Sequence, residues 1–197
     1  MVKGYIAGSL FNEAEKAQRL HEEKVLKELT MDSVDWYSPV SAKVNDKDKL
    51  PTAKEIFNGD TIAIIHSDII FADLTNGDTG VAMELGVSYG IQYARSIMDG
   101  ILEHQPDEVR QAFNSLMDLS GIKFKATYGV CSDIRVLTAN KYDGIHVPYG
   151  LNQYVVGGME SMDSIIVSNF NGAVEVFKER IDTIKEEELK NEQKAPL

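Results

Sequence analysis

Within its first 95 residues the chain repeatedly switches from a short apolar run to a stretch punctuated like a helix. That switching constrains the fold more than any other feature. Gly4-Tyr5-Ile6-Ala7-Gly8 reads as a strand ending in a glycine turn. Asn12 then caps a helix, with Glu15 in capping-box spacing, running to about Leu29. Asp35-Trp36-Tyr37-Ser38-Pro39 is a second strand closed by proline, and Ser41 to Leu50 a charged surface loop. Thr52 and Glu55 repeat the capping-box spacing, and Asn58-Gly59 reads as a helix stop. Thr61 to Ile65 is open to two readings: its β-branched content favours a strand, while Asp60 could cap a short helix. Asp68 to Asp73 is a strand leading into the turn-rich Asn76-Gly77-Asp78, and a helix follows from about Thr79 to Arg95.

The second half is less sharply punctuated. Residues 96–126 read as mostly helical, with Pro106 starting a helix whose first turn holds Asp107 and Glu108. The run from Lys125 to Thr138 holds at least one strand, Gly144 to Gly150 is a loop, and Leu151 to Met159 opens a helix. Val174, Phe177, Ile181 and Ile184 mark one apolar face of a C-terminal helix. After Glu186 the chain is charged and expected to fray. The alternation predicts an α/β fold: a single domain over 1–185, with a mostly parallel five-stranded sheet between helices. The layering is that of a flavodoxin or Rossmann-like three-layer fold, and residues 186–197 form a charged tail. Ligands of such sheets bind beyond the carboxyl ends of the strands, which here means the turns after Ala7 and Asp73.

Composition narrows the function classes. A net charge of −11 argues against binding a nucleic-acid backbone, which needs clustered Lys and Arg. A lone cysteine, Cys131, excludes an intramolecular disulfide and a multi-cysteine metal site, and reads as a buried inert thiol. The histidines at 21, 66, 104 and 146 show no ligand spacing, so no metal is expected. No run approaches ~18 apolar residues, so no membrane span is expected, and with no signal-like start the expected location is the cytoplasm.

Asp78 and Glu84 stand six residues apart, across a glycine-containing turn and the start of a helix. Gly80 is expected to let the backbone turn tightly and a ligand approach. Glu84 would project from near the helix N-terminus, where the dipole favours a carboxylate. Such a group can act as a nucleophile or stabilise an oxocarbenium-like centre. The same placement also suits an ordinary surface acid.

Three blocks carry a resemblance. Gly4-Tyr5-Ile6-Ala7-Gly8-Ser9-Leu10-Phe11, then Ser67-Asp68-Ile69-Ile70-Phe71-Ala72-Asp73-Leu74, then Asp78-Thr79-Gly80-Val81-Ala82-Met83-Glu84-Leu85-Gly86 resemble the nucleoside 2'-deoxyribosyltransferases in order and spacing. The resemblance spans about 3–92, and more weakly 130–170. It implies that Glu84 is the nucleophile and that Tyr5 orients it. Asp78 would hold the sugar hydroxyls, Asp60 would contact the base, and Gly8 and Phe11 would line the substrate site. Matching Asp60 in this way favours the helical reading of Thr61 to Ile65. Asn152 resembles an asparagine that reaches a neighbouring subunit's sugar, which implies a homo-oligomer, dimer or hexamer. Ser132-Asp133-Ile134-Arg135 resembles another family segment, and its simplest reading is structural.

The implied reaction is a retaining double displacement on deoxynucleosides with free nucleobases as acceptors, needing no cofactor. Asp60 or Asp78 would handle the base proton. Two rivals remain. One is a hydrolase of deoxynucleosides or their 5'-monophosphates, although Gly8-Ser9 is followed by Leu10-Phe11 and the nearest arginine is Arg19, a poor phosphate pocket. The other is a non-catalytic nucleoside-binding module, which would have no need of the carboxylates.

Overall fold

The structure is a computed structural model. It describes residues 1–31, 33–43, 46–122, 124–134, 140–142, 145–147, 151–162 and 164–192, without the side chains of 47, 140–142, 145–147 and 182–192. In chain order the elements are β1 (Val2–Ala7), α1 (Glu13–Thr30), β2 (Val34–Tyr37), α2 (Ala53–His66), β3 (Ile69–Asp73), α3 (Thr79–Leu102) and α4 (Asp107–Ser120). There follow β4 (Ala126–Val130), β5 (Asn140–Tyr142), β6 (Ile145–Val147), α5 (Gln153–Glu160), β7 (Ile165–Val167) and α6 (Phe170–Glu192).

Five strands form one all-parallel sheet in the order β2-β1-β3-β4-β7. That is the flavodoxin-like order, in which the chain leaves β1 in opposite directions and opens a crevice at the β1/β3 carboxyl ends. Strand alternation sorts the side chains onto two faces. Ile6, Trp36, Phe71 and Tyr128 pack with Leu26 of α1 and with Phe170, Ala173 and Phe177 of α6. Tyr5, Ala7, Ile70 and Ala72 pack with Ile64 of α2, Val81 and Leu85 of α3, and Met159 of α5. Three layers result, as the alternation predicts. The first face is aromatic: Phe71 stacks on Tyr128 at 4.9 Å and meets Trp36 and Phe177 edge-on. Each such ring withdraws enough apolar surface from water to contribute roughly 2–3 kcal/mol.

Asn12 caps α1 by accepting from the Glu15 amide at 2.9 Å, while the Glu15 carboxylate reaches back to the Phe11 amide, one residue outside the usual box. Thr52 and Glu55 form the complete reciprocal box. Several expectations need correction. Asn58-Gly59 does not stop a helix, and Thr61 to Ile65 is neither a strand nor a new helix capped by Asp60; α2 runs unbroken from Ala53 to His66. Gly59 keeps a negative φ, and burial of Ile64 in the sheet's second face outweighs the weak helix propensity around it. Within Gly144 to Gly150, expected as a loop, Ile145–Val147 is a strand pairing antiparallel with Asn140–Tyr142. The β-branched Ile145 and Val147, two apart, suit a strand. Helix α3 continues past Arg95 to Leu102, and α6 continues past Glu186 to Glu192 through a run of helix-forming residues.

Candidate active site

Tyr5 and Tyr37 are directly opposed in the register of β1 and β2, so their side chains leave the sheet on the same face. Their rings stack at 5.5 Å with planes 11° apart. Each hydroxyl then crosses to a carboxylate on a helix above. Tyr5 Oη donates to Glu84 Oε1 of α3 at 2.6 Å, and Tyr37 Oη donates to Asp60 Oδ1 of α2 at 2.8 Å. The second oxygen of Glu84 is buried and has no hydrogen-bond partner among the described residues. A buried carboxylate oxygen without a donor is costly and calls for an explanation, which a ligand in the adjoining cavity would supply.

Burial raises the Glu84 carboxyl to about 7; the Asp60 and Asp78 charges push the same way, against the Tyr5 hydrogen bond that lowers it. Burial also raises Asp60, opposed by its bond from Tyr37. Tyr5, buried and facing Glu84, is held far above the ordinary phenol range, so it remains a donor at any working pH. Helix α3 carries no acid in its first turn; Glu84 lies in the second, where the dipole has weakened. The expectation that the helix dipole favours this carboxylate is therefore replaced by a specific hydrogen bond.

A cavity of about 690 Å³ opens beyond the carboxyl ends of β1 and β3. It brings together Gly8, Phe11, Asp60, Asp78 and Glu84, with Tyr5 beneath Glu84. Asp78 caps α3 through Oδ1, which accepts from the Gly80 amide at 2.7 Å. The tight turn falls at Gly77, with φ +60°, and not at Gly80, which is already helical but does line the cavity. Phe11 is 84% exposed at the mouth. Asn152 is not in this cavity. It caps α5 by accepting from the Tyr154 amide and shares with Asp78 a separate recess of about 150 Å³.

Sequence reasoning missed Tyr37, Lys16, and Asp46 and Asp48, all of which border the cavity or its carboxylates. Tyr37 had a usable signal, since it stands at the carboxyl end of a strand beside Tyr5. Lys16 and the two aspartates had none short of the fold. No described residue of the long segment 96–127 lines the cavity. Ser132 bonds Thr75, joining the β3 and β4 ends, while Arg135 lies outside the described residues. Among the described residues no cluster of His, Cys, Asp and Glu could hold a metal, and no helix is long and apolar enough to cross a membrane. Cys131 is buried.

Underneath the β1 turn lies Arg19, only 2% exposed, paired with Glu22 at 2.8 Å and Asp73 at 2.7 Å. Its guanidinium occupies the space a side chain on Gly8 would need, 1.6 Å from where a Cβ would stand. It is an internal brace, and Gly8 is glycine because the brace passes there.

A five-stranded parallel sheet with a tyrosine-held carboxylate beside a cavity at its switch point defines an α/β protein. Comparison with known proteins adds a likeness: residues 5–98 match the family described as Nucleoside 2-deoxyribosyltransferase. A conserved protein from Enterococcus faecalis V583 shares the fold, with 26% identity and a TM-score of 0.59 over 91% of this chain and 99% of that one. A 2-deoxyribosyltransferase from Bacillus psychrosaccharolyticus is 22% identical over 68% of this chain and 74% of that one, with a TM-score of 0.40. No curated protein matches the sequence.

Proposed function

We propose that the protein transfers 2'-deoxyribose between nucleobases by a retaining double displacement. One observation carries the reading: Glu84 lines the cavity with one oxygen held by Tyr5 and the other unpartnered. In the first step the free Oε2 attacks the anomeric carbon as the bond to the base breaks. The electron pair of that bond goes to the base nitrogen, which takes a proton from Asp60 or Asp78. In the second step a new base attacks the same carbon, the ester bond to Glu84 breaks, and the incoming nitrogen returns its proton. Two inversions retain configuration, as in retaining glycosidases. The missing 2'-hydroxyl makes positive charge at the anomeric carbon less costly. No metal or organic cofactor enters this scheme.

The cavity's charge supports an unphosphorylated donor. Lys16 is outnumbered there by Asp46, Asp48, Asp60, Asp78 and Glu84, a field that repels a 5'-phosphate. An assembly of identical subunits, dimer or hexamer, fits two further features. Met83, Tyr93, Ile97 and Ile101 of α3 and Tyr154 of α5 are exposed apolar groups, and Asn152 stands outside its own chain's main cavity. Deoxynucleoside salvage in the cytoplasm is the setting this chemistry suits.

Incubating deoxyinosine with and without adenine tests the reading. A transferase makes deoxyadenosine only when adenine is present and yields a covalent sugar adduct on the peptide containing Glu84. Free base with no exchanged product would instead mean hydrolysis, and neither product nor adduct would leave a binding module.

A further inference from the structure

The site contains the same arrangement twice: strand tyrosine to helix carboxylate, from β1 to α3 and again from β2 to α2. The first copy is the nucleophile and its holder. The second has no role in the scheme above beyond Asp60 itself. We propose that Tyr37 is a positioning residue for the base-handling half of the reaction, acting only through Asp60. The inference rests on the base-exchange reading.

The geometry assigns Tyr37 little other purpose. Its hydroxyl occupies Asp60 Oδ1, and among the described residues Oδ2 has no hydrogen-bond partner, while the residue lines the cavity beside Glu84. A carboxyl tethered at one oxygen presents the other in a fixed direction, which is what a group passing a proton to and from a ring nitrogen requires. The tether is itself held. Tyr37 stacks on Tyr5, and Tyr5 is locked to Glu84, so the orientation of Asp60 is fixed relative to the nucleophile through two rings. A phenylalanine at 37 would fill the core equally well; only the hydroxyl links the ring to Asp60.

The bond also bears on proton transfer. Burial favours the protonated form of Asp60, and the Tyr37 hydroxyl partly offsets this by stabilising the carboxylate. The other groups around it are Tyr5 from β1, Glu84 and Asp78 from α3, Lys16 from α1, and Asp46 and Asp48 from the connection before α2. Proton release and uptake must both occur within one exchange, and a carboxyl held in one fixed direction can serve both half-reactions.

The test is Tyr37→Phe alone, Asp60→Asn alone, and the two combined, each checked for an unchanged melting temperature. Tyr37→Phe is expected to lower kcat for exchange about 10-fold with KM for the donor little changed, in keeping with the loss of one hydrogen bond to a charged group. In the Asp60→Asn background the same change should cost less than 2-fold more, since residues acting as a unit are not additive. Independently of turnover, ¹³C NMR of the Asp60 carboxyl should titrate at higher pH in Tyr37→Phe than in the wild type. A full-rate Tyr37→Phe, an additive double variant, or an unmoved Asp60 titration would each overturn the proposal. Failure of the base-exchange reading would look different: the wild type itself would exchange no base.

Discussion

Tyr5 Oη stands 2.6 Å from Glu84 Oε1, and the opposite oxygen of that carboxylate is buried without a donor. The tyrosine fixes the carboxylate's direction at one oxygen and leaves the other without a competing hydrogen bond among the described residues. Glu84→Ala is expected to abolish base exchange with the fold intact by circular dichroism; near-normal exchange would remove Glu84 as nucleophile. Tyr5→Phe should slow exchange ~10- to 100-fold, the range for losing one hydrogen bond to a charged group. A rate equal to wild type would reduce Tyr5 to a core residue.

The acid side of the pH profile should report Glu84. The nucleophile must be ionised, and burial lifts its carboxyl to about 7. Below that pH the protonated fraction grows and kcat/KM should fall tenfold per unit, while above it the acid limb flattens. The Tyr5 hydrogen bond lowers the Glu84 value, so Tyr5→Phe should move this limb to higher pH. A profile flat from pH 5 to 8, measured with one donor and acceptor pair, would contradict the assignment.

The same burial makes Glu84 a stability cost. Its folded-state value, about 7, exceeds its ordinary 4.5, so between these limits the folded protein holds a proton that the unfolded chain releases. Folding is therefore least hindered below pH 4.5, and stability is lost as pH rises through 7. Glu84→Gln keeps an acceptor for Tyr5 but never ionises. It should be more stable than wild type at pH 8, by up to about 3 kcal/mol on the scale of 1.36 kcal/mol per unit, and nearly equal to it at pH 4. Urea denaturation at the two pH values measures this, and a variant destabilised at pH 8 would refute it.

How much of this was legible beforehand follows from where the information sits. The layers and the parallel sheet could be read because strand and helix punctuation are local: Asn12, Thr52 and Pro106 all stand at real helix starts. Asn58-Gly59 reads as a stop in the sequence because the continuation of α2 depends on burying Ile64 against the sheet, which no local signal carries. The family resemblance, not spacing, singles out Tyr5, Asp60, Asp78 and Glu84, and the fold brings all four to one switch point. Tyr37 escaped because its meaning lies in strand register, its place opposite Tyr5. Lys16, Asp46 and Asp48 come from a helix and a loop whose approach to the site only the folded chain defines.

Arg19 ties the two halves of the switch point together from below. It is buried, paired with Glu22 on its own helix and with Asp73 at the end of β3, and pressed against Gly8 at the end of β1. Removing it strands Glu22 in the interior and takes a partner from the half-buried Asp73, and breaking a buried pair typically costs about 3–5 kcal/mol. Burial already raises Glu22 to about 7 even with Arg19 countering it, so without the arginine Glu22 can take up a proton instead. Arg19→Met should therefore be strongly destabilised at pH 8 and less so at pH 5. Gly8→Ala should weaken the same brace from the other side, because its methyl cannot coexist with the guanidinium where it lies. Combined, the two changes should cost less than their sum, since methionine can bend away from the new methyl. Additive losses in urea denaturation would show that Gly8 and Arg19 act separately.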